Sequence, residues 1–211
     1  MGTKERRTRE RHETRQRILA AAREMFATEG VEAVTMRAIA DRIEYTPTAL
    51  YHHFPSKQAL LTELCERDFE SLARRFQGAA VPADPIERLY AIGESYLRFA
   101  IEYPSHYRFM FMTVVPELEH EEGYVDEARN DPERNAYVFL REASDAAIAS
   151  GRFREEYSDP DQVAQILWST IHGLVSLRIA KHHQDFVPWK DLPTTARLAM
   201  ETLMRGMLRS K

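Results

Sequence analysis

The sequence predicts an all-α protein, with a small N-terminal group of helices followed by a larger C-terminal helical bundle. Apolar residues recur at intervals of three and four, which is the period of a helix with one buried face. Helix start signals recur as well, because Asp84-Pro85, Asp131-Pro132 and Asp159-Pro160 each join a capping aspartate to a proline suited to the first helical turn. Alternating apolar and polar residues and Asn-Gly or Asp-Gly hairpin turns are not found.

Four helices are predicted in the N-terminal third of the chain. An apolar stripe over Ile18–Phe26 indicates the first, and Gly30 ends it. Thr35 is placed as the N-cap of a short second helix, and Pro47 suits the first position of a short third helix. Ser56 can cap a long fourth helix. The two short helices span residues 35–43 and 47–53.

A linker over residues 78–83 precedes the C-terminal helices. The acidic segment 116–131 is predicted to be a solvated loop rather than a binding site. We place the domain boundary so that residues 1–57 form the N-terminal domain and residues 58–211 the C-terminal domain. The predicted C-terminal helices are 85–102, 104–114, 132–150, 160–182 and 192–209.

Composition limits the classes of protein that the chain can belong to. Its 211 residues are 44% hydrophobic and 29% charged, as in soluble globular proteins. The single cysteine, Cys65, excludes a disulfide framework within the chain and is interpreted as a packing residue. Neither a long apolar run nor a secretory signal is recognised, so we expect a cytoplasmic protein without a membrane partner.

Charge is distributed unevenly along the chain. Residues 1–17 contain seven basic and three acidic side chains, a net charge of +4. The whole chain has a net charge of −4, so residues 18–211 carry −8. A basic arm on an acidic body predicts that a polyanion binds at one end of the molecule.

The two short helices form a helix-turn-helix pattern, because only about four residues separate them and longer helices flank the pair. The segment TMRAIADRIEYTPTALYHHFPSKQALL, residues 35–61, resembles the DNA-binding motif of the TetR family of transcriptional regulators. The resemblance covers about residues 12–65. One departure is Glu44-Tyr45, where many members have Gly-Val. Glycine tolerates a left-handed turn in which Glu44 would be strained, so we expect a slightly different turn.

This resemblance implies double-stranded DNA as a partner and a division of roles among the motif residues. Phosphate contacts are expected from residues at helix starts and from the basic arm, namely Thr35, Tyr51, Lys57, Arg15 and Arg17. Base contacts are expected from residues on or before the short third helix, namely Thr46, Thr48, Ala49 and His52. Two alternatives stay open, since Thr46 can serve as an N-cap and His52 as a surface residue. For His53 we expect packing or a backbone hydrogen bond.

The C-terminal part resembles one TetR subgroup in its segment WSTIHGLVSL, which has a Trp-x-x-x-His-Gly pattern at Trp168, His172 and Gly173. Aromatic and methionine residues around it are those expected of a cavity for an apolar or aromatic ligand. The predicted ligand-binding residues are Tyr96, Phe99, Tyr103, Tyr107, Met110, Phe111, Trp168 and His172. The alternative is that these side chains form an ordinary core.

Together these features predict a DNA-binding transcriptional repressor. The resemblance implies a homodimer formed through helices of about residues 160–182 and 192–209, which binds a palindromic operator and releases it when a small effector binds. A regulator without a small-molecule ligand is one alternative. An all-α enzyme or metal protein is the other, although the sequence has no His-Glu-x-x-His, paired-cysteine or Gly-Lys-Ser/Thr motif. We expect no catalytic residues, metal or cofactor.

Overall fold

The computed structural model describes residues 3–114, 131–182 and 186–209, without the side chains of residues 3 and 4. This part of the chain contains nine helices and no strand, so the all-α prediction is confirmed. The segment 116–131, predicted to be an acidic loop, lies outside the described residues except for Asp131. The helices are α1 (Thr3–Glu29), α2 (Met36–Arg42), α3 (Pro47–Tyr51), α4 (Lys57–Ala79), α5 (Pro85–Glu102), α6 (Pro104–Met112), α7 (Ala136–Ala149), α8 (Pro160–Lys181) and α9 (Leu192–Met207).

Side-chain caps explain where the short helices begin. The Thr35 hydroxyl accepts a hydrogen bond from the Ala38 N–H at 3.1 Å, as its placement as an N-cap predicted. Ser56 caps α4 in the same way, with 3.0 Å between its hydroxyl oxygen and the Ala59 nitrogen. Gly30 follows α1 with φ +86°, a left-handed conformation that glycine adopts without strain.

The predicted start of α7 is wrong by four residues. Asp131 does not start a helix, because its carboxylate accepts the Glu133 N–H at 2.9 Å within a separate turn. The side chain of Asn135 caps the helix instead and accepts the N–H groups of Tyr137 and Val138. The first helix begins at Thr3, fifteen residues before the apolar stripe that indicated it, and the other predicted bounds agree with the structure within two residues.

The chain forms two compact units, which are described separately. The first consists of the described residues within Met1–Asp68 and Tyr103–His120, and the second of those within Phe69–Glu102 and Glu121–Lys211. The first unit therefore contains the predicted N-terminal domain together with the start of α4 and the whole of α6. α4 is one continuous helix with residues in both units.

The first unit has a hydrophobic core made by α1, the two short helices, α4 and α6. Leu50 and Phe54 anchor α3 and the turn that follows it, with at most 1% of either residue exposed. Phe109 of α6 is fully buried in the same core, and its ring stacks on Phe26 of α1 with 6.1 Å between centroids. Hence α6 is part of this unit because its aromatic face packs on α1.

A buried ion pair crosses the first unit. Arg23 of α1 donates two hydrogen bonds of 2.7 and 2.6 Å to the carboxylate of Asp68 on α4. Asp68 is 2% exposed and Arg23 is 9% exposed. The Nε2 atom of His106 on α6 lies 3.9 Å from the same carboxylate. Three helices thus meet at one buried charged group.

The second unit buries one face each of α5, α7, α8 and α9. Gly93 of α5 permits a close approach of α9, because a Cβ atom there would lie 3.3 Å from the Met200 methyl group. By length and composition α8 could also cross a membrane, since an 18-residue window has a mean hydropathy of 1.2 with 28% of it buried. Core helices of soluble proteins meet the same criterion, and Val163, Leu167 and Ile171 pack one face of α8 into this unit.

Glu44 adopts the left-handed conformation that the family motif assigns to glycine, with φ +60°. The turn between α2 and α3 therefore has a left-handed residue at this position, and the backbone of Glu44 is strained there. We predict that Glu44→Gly stabilises the protein by about 0.5–1 kcal/mol. A side chain in this backbone conformation costs about 1–2 kcal/mol, and part of the stabilisation is lost because glycine increases the backbone entropy of the unfolded chain.

Urea unfolding of the Glu44→Gly variant measures this gain. Glu44→Ala is the matched control, since alanine removes the carboxylate but keeps a Cβ atom, and it should give no comparable stabilisation. Equal effects of the two substitutions would contradict the backbone explanation and assign the change to the charge.

Candidate functional sites

The short helix α3 exposes the side chains predicted to contact bases. Thr46, Thr48 and His52 are exposed, and Tyr51 is 50% exposed, while Ala49 is half-buried. Leu50 alone on this helix is fully buried, so α3 is held by one side and presents the other. This is the arrangement that a helix needs to enter the major groove of DNA.

The threonines before α2 and α3 are both engaged as caps. The Thr46 hydroxyl oxygen accepts the Ala49 N–H at 3.2 Å, so the N-cap alternative for Thr46 is confirmed. A capping hydroxyl still has its own hydrogen to donate to a phosphate or a base edge. Lys57 is the first residue of α4 and is half-buried. The DNA contacts of these residues stay predictions.

Arg15 and Arg17 attach α1 to the helix-turn-helix. The Arg15 guanidinium lies 4.1 Å from the centre of the Phe54 ring, forms an ion pair with Glu63 and donates to the His53 carbonyl at 2.6 Å. Arg17 is exposed and donates to the Ile43 carbonyl at 3.1 Å. Phosphate binding by Arg15 would compete with these contacts.

His53 and Cys65 are packing residues in the structure. The Nδ1 atom of His53 is buried without a hydrogen-bond partner among the described residues, and burial, aided by the charges of Arg11 and Arg15, lowers its pKa. Burial and the neighbouring carboxylates of Asp68 and Glu66 raise the pKa of the Cys65 thiol to about 11. The thiol is therefore protonated near neutral pH and is a poor nucleophile.

Three of the predicted ligand-binding residues meet in the second unit. The Trp168 indole N–H donates to the Tyr96 hydroxyl at 3.3 Å, and this hydroxyl lies 2.9 Å from His172 Nδ1. Which of the two groups donates in this contact depends on the imidazole tautomer. Burial lowers the pKa of His172 and therefore favours the neutral imidazole.

Tyr137 extends this aromatic cluster and was not predicted from the sequence. Its ring centroid lies 6.2 Å from that of Trp168, and its hydroxyl donates to Asp161 at 2.7 Å. Burial and this hydrogen bond raise the pKa of Tyr137. Only the spacing of Trp168 and His172, which places them on one helical face, could have indicated part of the cluster.

The remaining predicted ligand-binding residues are divided between the two units. Phe99 is buried in the second unit, where the Arg75 guanidinium lies 5.8 Å from its ring centre. The α6 region contributes the others to the first unit, namely Tyr103, Tyr107, Met110 and Phe111. Tyr107 is fully buried, and its ring centroid lies 5.2 Å from that of Phe111.

A groove of about 350 Å³ lies on another part of the second unit, between α5 and α9. Leu97, Ile101 and Met200 form part of its apolar wall, and Arg98 and Arg197 are among its polar lining residues. The sequence did not indicate it, because its wall combines residues about 100 positions apart. The described residues contain no group of three His, Cys, Asp or Glu side chains suited to a metal ion.

The two short helices and the exposed face of α3 place the protein in the class of helix-turn-helix proteins. Comparison with known families agrees with this class. Residues 18–64 match the family of bacterial regulatory proteins described as tetR, and residues 89–203 match the tetracyclin repressor-like C-terminal domain. The second match covers more than half of the chain, and the protein therefore belongs to the TetR family.

The curated relatives are similar over little more than a third of the chain. The HTH-type transcriptional regulator UidR of Escherichia coli is 39% identical over 79 residues, which are 37% of each chain. The transcriptional repressor KstR of Mycobacterium tuberculosis is 41% identical over 78 residues, 36% of each chain. The TetR family regulator PfmR of Thermus thermophilus has a similar structure, with a TM-score of 0.70, 26% identity and coverage of 92% of this chain and 97% of PfmR.

Proposed function

We propose that this protein is a homodimeric transcriptional repressor that binds a palindromic DNA operator through α3. The observation that carries the proposal is the one-sided anchoring of α3, in which Leu50 is buried and Thr48, Tyr51 and His52 are exposed. Repression is favoured over activation by the relationship to KstR, which is a repressor. We place this function in the cytoplasm and assign no enzymatic activity to the chain.

Selection of duplexes from a randomised pool tests the proposal. A homodimer that places two copies of α3 on DNA should enrich a palindrome with half-sites about one helical turn, or a multiple of it, apart. Enrichment of a single half-site would contradict the dimeric arrangement. Failure to enrich any sequence would contradict specific DNA binding.

The predicted division of contacts gives a second measurement on the selected duplex. Lys57→Ala and Tyr51→Phe should weaken binding by a similar factor for all sequences, because they remove phosphate contacts. Thr48→Val or His52→Ala should instead change the preferred base at one position, by about 1–3 kcal/mol. A larger change in base preference for Lys57→Ala than for Thr48→Val would reverse the assigned roles.

The exposed face of α8 supports the dimer. Ile166 is half-buried and Leu177 is 55% exposed, although both are large apolar residues on one helical face. Between them Gly173 has no atom within 4 Å of the position of a Cβ, so another helix could approach closely there. Leu198 of α9 is 51% exposed. These residues are suited to an interface with a second copy.

The effector site that we propose is the cluster of Tyr96, Trp168 and His172. It combines large aromatic surfaces with a hydroxyl and an imidazole, which fits an apolar or aromatic molecule carrying one hydrogen-bonding group. α4 has residues in both units and begins at Lys57, so a shift of α4 would alter a proposed phosphate contact. By linkage, such an effector must bind the DNA-free state more tightly, typically by about 1–3 kcal/mol.

The effector proposal is tested by screening apolar aromatic compounds for release of the selected duplex. Tyr96→Phe and His172→Gln should each weaken the response to a releasing compound about five- to tenfold, because each removes one hydrogen bond. DNA affinity without the compound should stay within twofold. Ile101→Ala in the α5–α9 groove is the control and should respond as the unmodified protein does.

Three results would contradict this assignment. A response lost in Ile101→Ala and kept in His172→Gln would place the effector in the groove. Equal loss of DNA binding by Tyr96→Phe and His172→Gln without the compound would show that the cluster only stabilises the second unit. A screen without any releasing compound would favour a regulator that has no small-molecule effector.

A further inference from the structure

The helices α5 and α9 run antiparallel along the groove that they form. A Cβ atom at Gly93 of α5 would lie 3.3 Å from the Met200 methyl group of α9. Burial raises the pKa of the Tyr90 hydroxyl, and the nearby charge of Glu201 raises it further. An earlier residue of α5 therefore lies near a later residue of α9, and later residues of α5 face earlier residues of α9.

Small side chains on α9 leave the groove open. The two helices are close at Gly93 and Met200, where the glycine has no side chain. Further along α5 the lining residues of α9 are Ala196 and Thr194, and their short side chains leave space beside Leu97. The resulting volume of about 350 Å³ is in the range of sites that bind small organic molecules.

Much of the wall of the groove is apolar. Leu97, Ile171 and Met200 line it and are themselves buried. Ile101, near the end of α5, lines it as well and is 51% exposed. Pro193, near the start of α9, lies at the same end because the helices are antiparallel. An apolar ligand would remove this surface from water, which is favourable.

Two guanidinium groups line the same part of the groove. Arg98 is about 7–8 Å beyond Gly93 along α5, and Arg197 is about 4–5 Å beyond Met200 along α9 in the same direction. The two arginines are thus within one helical turn of each other along the groove. Arg197 forms an ion pair with Glu201 at 2.7 Å, whereas Arg98 forms none with any residue in the described ranges.

We propose that the α5–α9 groove binds a small carboxylate that has an apolar body. Its carboxylate accepts hydrogen bonds from Arg98 and Arg197, and its apolar body packs against Ile101. Charge favours an anion over a cation, because two guanidinium groups line the groove and Glu94 is the single carboxylate among its lining residues. Guanidinium groups also match the planar geometry of a carboxylate.

This site is separate from the other surfaces to which we assign a function. None of the three residues of the proposed effector cluster lines the groove. The residues proposed for the dimer interface do not line it either, namely Ile166, Gly173, Leu177 and Leu198. The inference therefore goes beyond the proposed function, and binding at the groove requires neither DNA nor the effector.

Titration calorimetry of the full chain at about 0.1 M salt tests the inference. The probes are decanoate and decyltrimethylammonium, which share an alkyl chain and carry opposite charges. Arg98→Gln/Arg197→Gln removes the two cations of the groove. The matched control is Arg74→Gln/Arg154→Gln, since these arginines are exposed, belong to the same unit and do not line the groove.

Decanoate should bind with a Kd below about 1 mM and at least about tenfold more tightly than decyltrimethylammonium. The groove double variant should weaken decanoate binding at least about tenfold, because it removes hydrogen bonds between charged groups. The control double variant should bind decanoate within about twofold of the unmodified protein.

A second variant tests the apolar part of the groove without a change in charge. Thr194→Trp places a large side chain in the groove at an exposed position, so the fold should be kept while decanoate binding is lost. Circular dichroism checks the fold of each variant. If Thr194→Trp instead made a dimeric protein monomeric, the groove would be a contact between copies and the inference would be overturned.

Three other results would overturn the inference. The first is a protein that does not bind decanoate, or that binds both probes equally. The second is an equal loss in the groove and control variants, which would show a response to net charge alone. The third is decanoate binding that is lost in His172→Gln and kept in the groove variant, which would place the carboxylate in the aromatic cluster. Selection of a palindromic duplex by the unmodified protein would stand in each case.

Discussion

The Asp68→Ala substitution is expected to destabilise the protein by about 3–5 kcal/mol. Asp68 is 2% exposed and accepts two hydrogen bonds from Arg23, which is itself 9% exposed. Removal of the carboxylate leaves a buried guanidinium without its partner, and the cost is mainly the desolvation of that uncompensated charge. Because α1 and α4 meet at this pair, the loss should also reduce DNA binding. Urea unfolding followed by circular dichroism measures the change.

A double variant separates the buried charge from the packing. Arg23→Met/Asp68→Leu replaces both partners by apolar residues of similar size and should unfold within about 1 kcal/mol of the unmodified protein. A double variant as unstable as Asp68→Ala would contradict this account and show that the ion pair itself, with the nearby His106, is needed for folding. A stability of Asp68→Ala close to that of the unmodified protein would show that water reaches Arg23.

The Gly173→Arg substitution is expected to convert the protein into a monomer and to lower operator affinity by about 100-fold or more. Loss of the second binding module removes an avidity gain of about 10²–10⁴. The fold of each protomer should persist, because no atom lies within 4 Å of a Cβ at this position and glycine is unfavourable inside a helix by about 0.5–1 kcal/mol. Sedimentation velocity measures the oligomeric state.

Gly78→Arg is the matched control for this experiment. Gly78 lies in α4, outside the proposed interface, and it too has no atom within 4 Å of a Cβ. The control should leave the oligomeric state unchanged and operator affinity within about threefold. A dimeric Gly173→Arg protein would exclude the centre of α8 from the interface, and the exposure of Leu177 would then need another explanation.

Features that depend on neighbouring residues were predictable from the sequence. The caps at Thr35 and Ser56 were assigned correctly, because a capping hydroxyl and the N–H that it accepts are three residues apart. The same kind of local pattern misplaced the start of α7, because both Asp131 and Asn135 are residues that can cap a helix. The Asp131 carboxylate accepts a hydrogen bond within a separate turn, and the Asn135 side chain caps the helix. Glu44 shows a further limit, since the family pattern of the turn outweighed the residue preference at that position.

The sequence by itself determined the all-α class, the helix-turn-helix and the shared face of Trp168 and His172, because helical periodicity and capping are encoded within a few residues. Only the tertiary structure decided that α6 packs in the first unit, that Arg15 contacts Glu63, and that Tyr96 joins Trp168 and His172. The partners of these side chains lie 48 to 76 residues away. Which distant groups meet depends on how whole helical faces pack, and a local pattern contains no information about that choice.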